Sequence, residues 1–314
     1  MSGRRESSPT LLMENIRYIS SSSIRAFAID NDGGLWGYGT NRGGELGTGT
    51  TQPSLDPVLI MGNIVAVAAG HDFQFQMGHT VALDTDGVMW AWGNNRSGQL
   101  GDGSNNTSLS PIRIMDNVVA VAAGISHTAA LDAEGVVWTW GSNDRGQLGD
   151  GVGHGRTLPM PVKDNVQAIA IGSDNTYVIT NDNVLWAWGM NAAGQLGNGT
   201  NDDQHLPVRI MEDVAHVSAG FGHTLTVTLD GELWTFGNNN RGQLGLGSVD
   251  PDWDRWIYPQ RAISGIVAAA GGAGHSLALD TYGNLWSWGR NDYGQLGDGS
   301  RDDRYNPQRV IYFE

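Results

Sequence analysis

Residues 122–151 read Ala122-Ala123-Gly124-Ile125-Ser126-His127-Thr128-Ala129-Ala130-Leu131-Asp132-Ala133-Glu134-Gly135-Val136-Val137-Trp138-Thr139-Trp140-Gly141-Ser142-Asn143-Asp144-Arg145-Gly146-Gln147-Leu148-Gly149-Asp150-Gly151. Its pieces return along the chain in the same order. The Trp138-Thr139-Trp140-Gly141 step matches Trp36-Gly37-Tyr38-Gly39, Trp90-Ala91-Trp92-Gly93, Trp186-Ala187-Trp188-Gly189, Trp234-Thr235-Phe236-Gly237 and Trp286-Ser287-Trp288-Gly289, and its first Trp advances by 54, 48, 48, 48 and 52 residues. Each copy then runs into Gly-Gln/Glu-Leu-Gly, at Gly44, Gly98, Gly146, Gly194, Gly242 and Gly294. Six copies of one unit therefore occupy residues 14–314, the sequence mark of a repeat architecture.

Within a unit the apolar pattern has a period of two, and Gly, Asp and Asn punctuate it. A small apolar run (Val118 to Gly124) is followed by a second strand (His127 to Asp132), a tight turn at Ala133-Glu134-Gly135, and a third strand (Val136 to Gly141). A Gly-rich loop then leads to a short Pro-led strand such as Pro111 to Met115. Four antiparallel strands per unit, A to D, repeated radially, make an all-β fold: a β-propeller of four-stranded blades, six-bladed or part of a seven-bladed ring. A short tail (1–13) precedes one propeller domain (14–314) with units at about 14–62, 63–116, 117–164, 165–212, 213–264 and 265–314.

The composition agrees. The 314 residues include 46 Gly, 12 Trp and no Cys, with a formal net charge of -15. Without Cys there is no disulfide, zinc-thiolate site or thiol catalysis. Of the 18 basic residues only Lys163 is a lysine, and no basic run follows a phosphate backbone, so nucleic acid is not an expected partner. No apolar leader follows Arg4 and Arg5, and no window approaches the length of a membrane span; a cytoplasmic monomer without a membrane partner is expected.

These residues resemble the regulator of chromosome condensation repeats, in a bacterial-like member. The resemblance rests on Ala122 to Thr128, the Leu131 to Gly135 turn, Trp-x-Trp-Gly, and Asn143 to Gly151, and it covers nearly the whole chain. It implies a propeller, usually of seven blades. It also implies two activities: guanine-nucleotide exchange on a small GTPase, and inhibition of a β-lactamase by one propeller face.

Residues obeying the period are read as scaffold. Trp90, Trp92, Trp138, Trp140, Trp186, Trp188, Trp234, Trp286 and Trp288 are expected to pack between blades, and His79, His127, His223 and His275, which share one repeat position, to form structural hydrogen bonds. A metal ring of these imidazoles is not expected, because adjacent sheets pack too far apart for shared ligation. The Asp-x-Asp-Gly turns lack the remaining calcium ligands, and the Gly-rich loops lack a Gly-Lys-Ser/Thr step. No nucleophile elbow or zinc helix appears, and the chain reads as a non-enzyme without cofactor.

Residues breaking the period are the better candidates for function. The A-B connection of unit 2 carries His71, Asp72, Phe73 and Phe75; the C-D connection of unit 5 carries Asp252, Trp253, Asp254, Trp256 and Tyr258. Alternating strands place both insertions on one face, and exposed aromatic residues beside carboxylates suit a protein partner. The opposite face collects fourteen carboxylates in its turns against Lys163 alone, which suits a partner with a basic surface. The function expected is a protein-binding scaffold.

Overall fold

The structure is a computed structural model that describes residues 11–22, 24–70, 77–249 and 256–310. Its 24 strands form six separate four-stranded antiparallel sheets, each built from four consecutive strands. Blade 1 is β1 (Ile16–Ser22), β2 (Arg25–Asp30), β3 (Leu35–Gly39) and β4 (Ser54–Met61). Blade 2 is β5 (Ile64–Ala69), β6 (His79–Asp84), β7 (Met89–Gly93) and β8 (Ser108–Met115), and blade 3 is β9 (Val118–Ala123), β10 (His127–Asp132), β11 (Val137–Gly141) and β12 (Arg156–Lys163). Blade 4 is β13 (Val166–Ile171), β14 (Asn175–Thr180), β15 (Leu185–Gly189) and β16 (Gln204–Met211). Blade 5 is β17 (Val214–Ala219), β18 (His223–Thr228), β19 (Glu232–Gly237) and β20 (Gln260–Ser264), and blade 6 is β21 (Ile266–Gly271), β22 (His275–Asp280), β23 (Leu285–Gly289) and β24 (Arg304–Arg309). The molecule is a six-bladed β-propeller in which, among the described residues, no blade borrows a strand from the other end of the chain.

The outer strands begin earlier than the Pro-led reading suggests. In blade 2, Ala91 faces Ile112 but Gly93 faces Ser108, so Pro111 sits in a bulge of an edge strand, where its missing N–H costs no ladder bond. The turns follow their residues. Asp132 accepts from the N–H groups of Glu134 and Val136 through one carboxylate oxygen, and Gly135 supplies the positive φ of 80°.

Cores lie between blades rather than within them. Val81, Leu83 and Met89 of blade 2 pack with Val118, Ala130 and Trp140 of blade 3 in one buried cluster. A polar clamp recurs at these interfaces. The Gln99 carbonyl of the blade 2 loop accepts both from Thr128 Oγ1 (2.7 Å) and from Trp140 Nε1 (2.9 Å) of blade 3. His79 Nε2 lies 2.8 Å from the same Thr128 hydroxyl. Because that hydroxyl donates its proton to Gln99, His79 must donate, which assigns the proton to Nε2 and leaves Nδ1 bare. His127 meets Thr176, and His223 meets Ser276, in the same way. Blade 4 carries Asn175 instead, and the Tyr177 hydroxyl joins Thr224 in donating to the Gln195 carbonyl, which compensates for Phe236 where a Trp would stand.

Blade 1 solves the same problem with charge. Arg25 holds the His position and Glu45 the Gln position, and their side chains form an ion pair at 3.0 Å with no exposure of either. Glu45 also accepts from the N–H groups of Gly43 and Gly78, while its own carbonyl receives Thr80 and Trp92. Burial pulls the Arg25 pKa down and Glu45 opposes it.

The two Trp of each step differ in role. Trp92, Trp140, Trp188 and Trp288 are fully buried and donate to the preceding blade. Trp90, Trp138 and Trp286 are half-buried and donate to Asp84, Asp132 and Asp280 in the turn of their own blade. Trp186 is half-buried under the Lys163 ammonium, 4.2 Å from its ring centre, and Trp234 is half-buried.

Candidate functional site

Each blade is an up-and-down meander, so the A-B and C-D loops emerge on one face. The Gly-rich C-D loops are anchored by a residue type that the turn reading passes over. Asn143 is wholly buried; its Oδ1 accepts from Leu148 N (3.0 Å), and its Nδ2 donates to Asp150 Oδ1 and to the carbonyls of Val152 and His154. Asn41, Asn95, Asn191, Asn239 and Asn291 repeat this knot. The loops are therefore rigid platforms: six buried amides fix them to their blades. Arg145 reaches Asp203 and Arg241 reaches Asp303, which ties loops of neighbouring blades together.

Three exposed aromatic residues belong to the loops of blades 5 and 6 on this face. Phe221, in the A-B turn of blade 5, is exposed where Ile125, Ser173 and Ala273 stand in other blades. Tyr293 is exposed beside Arg290, whose guanidinium lies 5.3 Å from the ring. Tyr258 is exposed too, but it stands at a repeat position rather than within the insertion: it lies over Gly199 as Leu158 lies over Gly103 and Leu206 over Gly151. Leu158, Leu206 and Tyr258 thus form an exposed apolar row along three successive blades. Trp256 is half-buried, and its carbonyl accepts from Gly237 N at 2.9 Å. His71, Asp72, Phe73, Phe75, Asp252, Trp253 and Asp254 lie outside the described residues. Sequence reasoning missed Phe221 and Tyr293 as site residues, although each is an aromatic break in a period otherwise filled by small, aliphatic or charged side chains.

The opposite face is less one-sided than its turns suggest. Strand-D arginines reach back to it: Arg113 pairs with Asp116, Arg209 with Glu212 and Arg261 with Glu232. Several remaining carboxylates serve their turns. Asp280 is raised by desolvation, but hydrogen bonds from Asn284, Trp286 and the N–H groups of Asn284 and Tyr282 outweigh it and hold the carboxyl at about 2. Asp30 is lowered by the Trp36 indole and the Gly34 N–H.

The axial cavity, about 500 Å³, opens between the A strands and is lined by Ala123, Ala219, Ala270, Gly172, His275 and Leu277 among others, with no carboxylate, Lys or Arg among the described lining residues. The four repeat His do not converge there. His79, His127 and His223 each serve a different blade interface, and burial holds the first two at about 3 and the third at about 4. Among the described residues no group of three His, Cys, Asp or Glu side chains is placed to hold a metal ion, and no helix is long and apolar enough to cross a membrane.

Fold and loops define a class: repeat propellers that hold a wide loop platform on rigid, clamped blades. The chain belongs to the RCC1-like domain family, whose model matches residues 2–314. Human protein RCC2 is 38% identical over 109 residues, which make up 32% of this chain and 20% of RCC2; the match thus spans about a fifth of that relative's length. Among solved structures, yeast RCC1 (Prp20) bound to Kap60 superposes with a TM-score of 0.82 at 25% identity, covering 95% of this chain and 75% of that one. Prp20p from Saccharomyces cerevisiae, which binds Gsp1p and histones, gives 0.81 at 25% identity, covering 95% and 77%.

Proposed function

We propose that this chain is a non-enzymatic scaffold that engages a protein partner through the A-B and C-D loop face of blades 5 and 6. One observation carries this reading: Tyr258 and Tyr293 are exposed on C-D loops held by buried asparagines and an inter-blade ion pair, and Phe221 is exposed on an A-B turn whose N–H donates to the Gly272 carbonyl of blade 6, so anchors of high binding value are presented with little left to order on binding. The insertion that precedes Tyr258 in the sequence adds Trp253 and Trp256 to this proposal. The carboxylate turns of the other face are a second surface, suited to a basic partner.

The test replaces the aromatic residues by side chains that other blades already carry at these positions: Phe221→Ser, Tyr258→Ser and Tyr293→Arg, matching Ser173, Ser110 and Arg145. The triple variant keeps its melting temperature and loses the proteins that the unmodified chain captures from its native lysate. Capture of the same proteins by the variant refutes the assignment of this face.

Exchange of guanine nucleotide on a small GTPase is the second reading. It is favoured by the likeness to Prp20p, a propeller that binds Gsp1p. Accelerated release of a fluorescent guanine nucleotide from a GTPase identifies this activity, while an inhibitor would instead co-purify with a β-lactamase and silence it.

A further inference from the structure

One dipeptide in the rigid C-D loops is chemically unstable. Asn198 is the only asparagine in the chain that a glycine follows. Glycine has no side chain to keep its backbone nitrogen away from the preceding amide, so such a pair cyclises more readily than any other Asn-x step. The other copies do not carry it: Thr48, Asp102, Asp150, Leu246 and Asp298 stand at the same repeat position.

The folded loop holds both reacting groups. Asn198 Oδ1 accepts from Asn191 Nδ2 at 3.0 Å, from Thr200 N at 3.1 Å and from Thr200 Oγ1 at 3.0 Å. The Gly199 N–H, whose nitrogen would be the nucleophile, donates to the Ile257 carbonyl of blade 5 at 2.9 Å. Tyr258 lies directly on Gly199: the residue has a φ of 84°, and a Cβ there would run into the phenol ring. Gly103 and Gly151 donate in the same way to Thr157 and His205, so the fold closes this position in other blades too, but at Gly199 the closure covers an asparagine.

We infer that Asn198-Gly199 is a self-modification site, held shut by the Ile257-Tyr258 step of the next blade and opened when that step lifts. The Gly199 nitrogen bonds to Asn198 Cγ, the Cγ–Nδ2 bond breaks, and ammonia leaves with the glycine's proton. Water then opens the succinimide at one of its two carbonyls, giving aspartate or isoaspartate. The two products differ in what they leave behind. Aspartate keeps the loop knot, since Asn95 and Asn143 donate to Asp102 and Asp150 at 3.0 and 2.9 Å in the same way. It lacks the arginine that Asp150 and Asp298 find in Arg156 and Arg304, because blade 4 has Gln204 at that register. Isoaspartate puts an extra carbon into the main chain between residues 198 and 199, which moves Gly199 from under Tyr258. One spontaneous reaction thereby ties the seating of an exposed aromatic side chain to the age of the molecule.

The experiment follows the full chain by peptide mass mapping in mildly alkaline buffer, folded and in urea. In urea Asn198 converts before any other asparagine. In the folded chain it converts roughly a hundredfold more slowly, the ratio being set by the fraction of time the loop is open. Tyr258→Ser, which copies Ser110 of blade 2, raises the folded rate about fivefold, while Leu158→Ser, the matching change two blades back, leaves it as it was. Asn198→Asp keeps the melting temperature, and the isolated isoaspartate form lowers it. Another asparagine converting first in urea, equal rates folded and in urea, equal effects of the two Ser changes, or an isoaspartate form as stable as Asn198→Asp would each overturn the inference. No measurement involves a partner, so the outcome is separate from the assignment of the loop face.

Discussion

Acidification should unfold this protein in a window set by its buried imidazoles. His79, His127 and His223 are buried and neutral, each with Nε2–H donated to a hydroxyl of the next blade. Their Nδ1 atoms have no hydrogen-bond partner among the described residues, and they face glycines so closely that a Cβ on Gly70, Gly124 or Gly220 would lie within 2.8 Å of them. A proton added at Nδ1 of His79 or His127 would be a buried charge without an acceptor, whereas backbone groups of His275 and Phe221 partly offset the burial of His223. The folded-state pKa therefore falls from 6.5 to about 3, 3 and 4, with desolvation the largest cause in each.

Below pH 6.5 the unfolded chain takes up protons that the folded chain refuses, so stability falls as pH falls. Each His removes about 1.4 kcal/mol per pH unit, or about 2 kcal/mol by pH 5, and the three together about 6 kcal/mol. That is comparable with the whole stability of many domains, roughly 5–15 kcal/mol. The turn carboxylates act elsewhere: Asp280, held at about 2, contributes stability that is present above about 4 and is lost only as pH falls toward 2. Urea unfolding at pH 7.5, 6 and 5 isolates the imidazole window, because the Asp280 window lies below it. His127→Asn, which installs the side chain that blade 4 already uses at Asn175, should reduce the loss between pH 6 and 5 by about a third. A flat midpoint between pH 7 and 5, or an unchanged slope in the variant, would refute the neutral-imidazole clamp.

Other outcomes follow from the same interfaces. Arg25→Ala strands the Glu45 carboxylate in a dry site and should cost about 3–5 kcal/mol in urea unfolding, whereas Arg25→His with Glu45→Gln, the pairing of the neighbouring blades, should recover most of it. A double variant as unstable as the single one would show that the pair is not an exchangeable clamp. Trp140→Ala, which empties a fully buried site and removes one of the two donors to the Gln99 carbonyl, should cost about 3–5 kcal/mol. Trp138→Ala, which removes a half-buried ring bonded to Asp132, should cost about 1–2 kcal/mol; equal losses would contradict the division of roles between the two positions.

How far the sequence reaches is shown by particular residues. Asp132 and Gly135 announce a hairpin turn because turn chemistry is local: a carboxylate two and four residues from the N–H groups it caps, and a positive φ that glycine accepts. Strand alternation is local too, so six blades of four strands could be read before any coordinate. Trp138 and Trp140 look alike in sequence, since neither their spacing nor their type says which one meets the neighbouring blade. Tyr258 reads as part of an insertion because the loop length hides that it stands two residues after Trp256 at an ordinary repeat position.

What the chain alone determined, then, is the unit: its strands, its turns and its count, all set by interactions within a few residues. Tertiary structure decided what one unit does to the next. The His proton, the Arg25–Glu45 pair and the Gln carbonyl clamp join residues about thirty to fifty positions apart, or twenty in the case of the ion pair. A repeat encodes its own shape in every copy, but which side chain of one copy meets which of the next depends on surfaces that come together only once the blades are arranged around the axis.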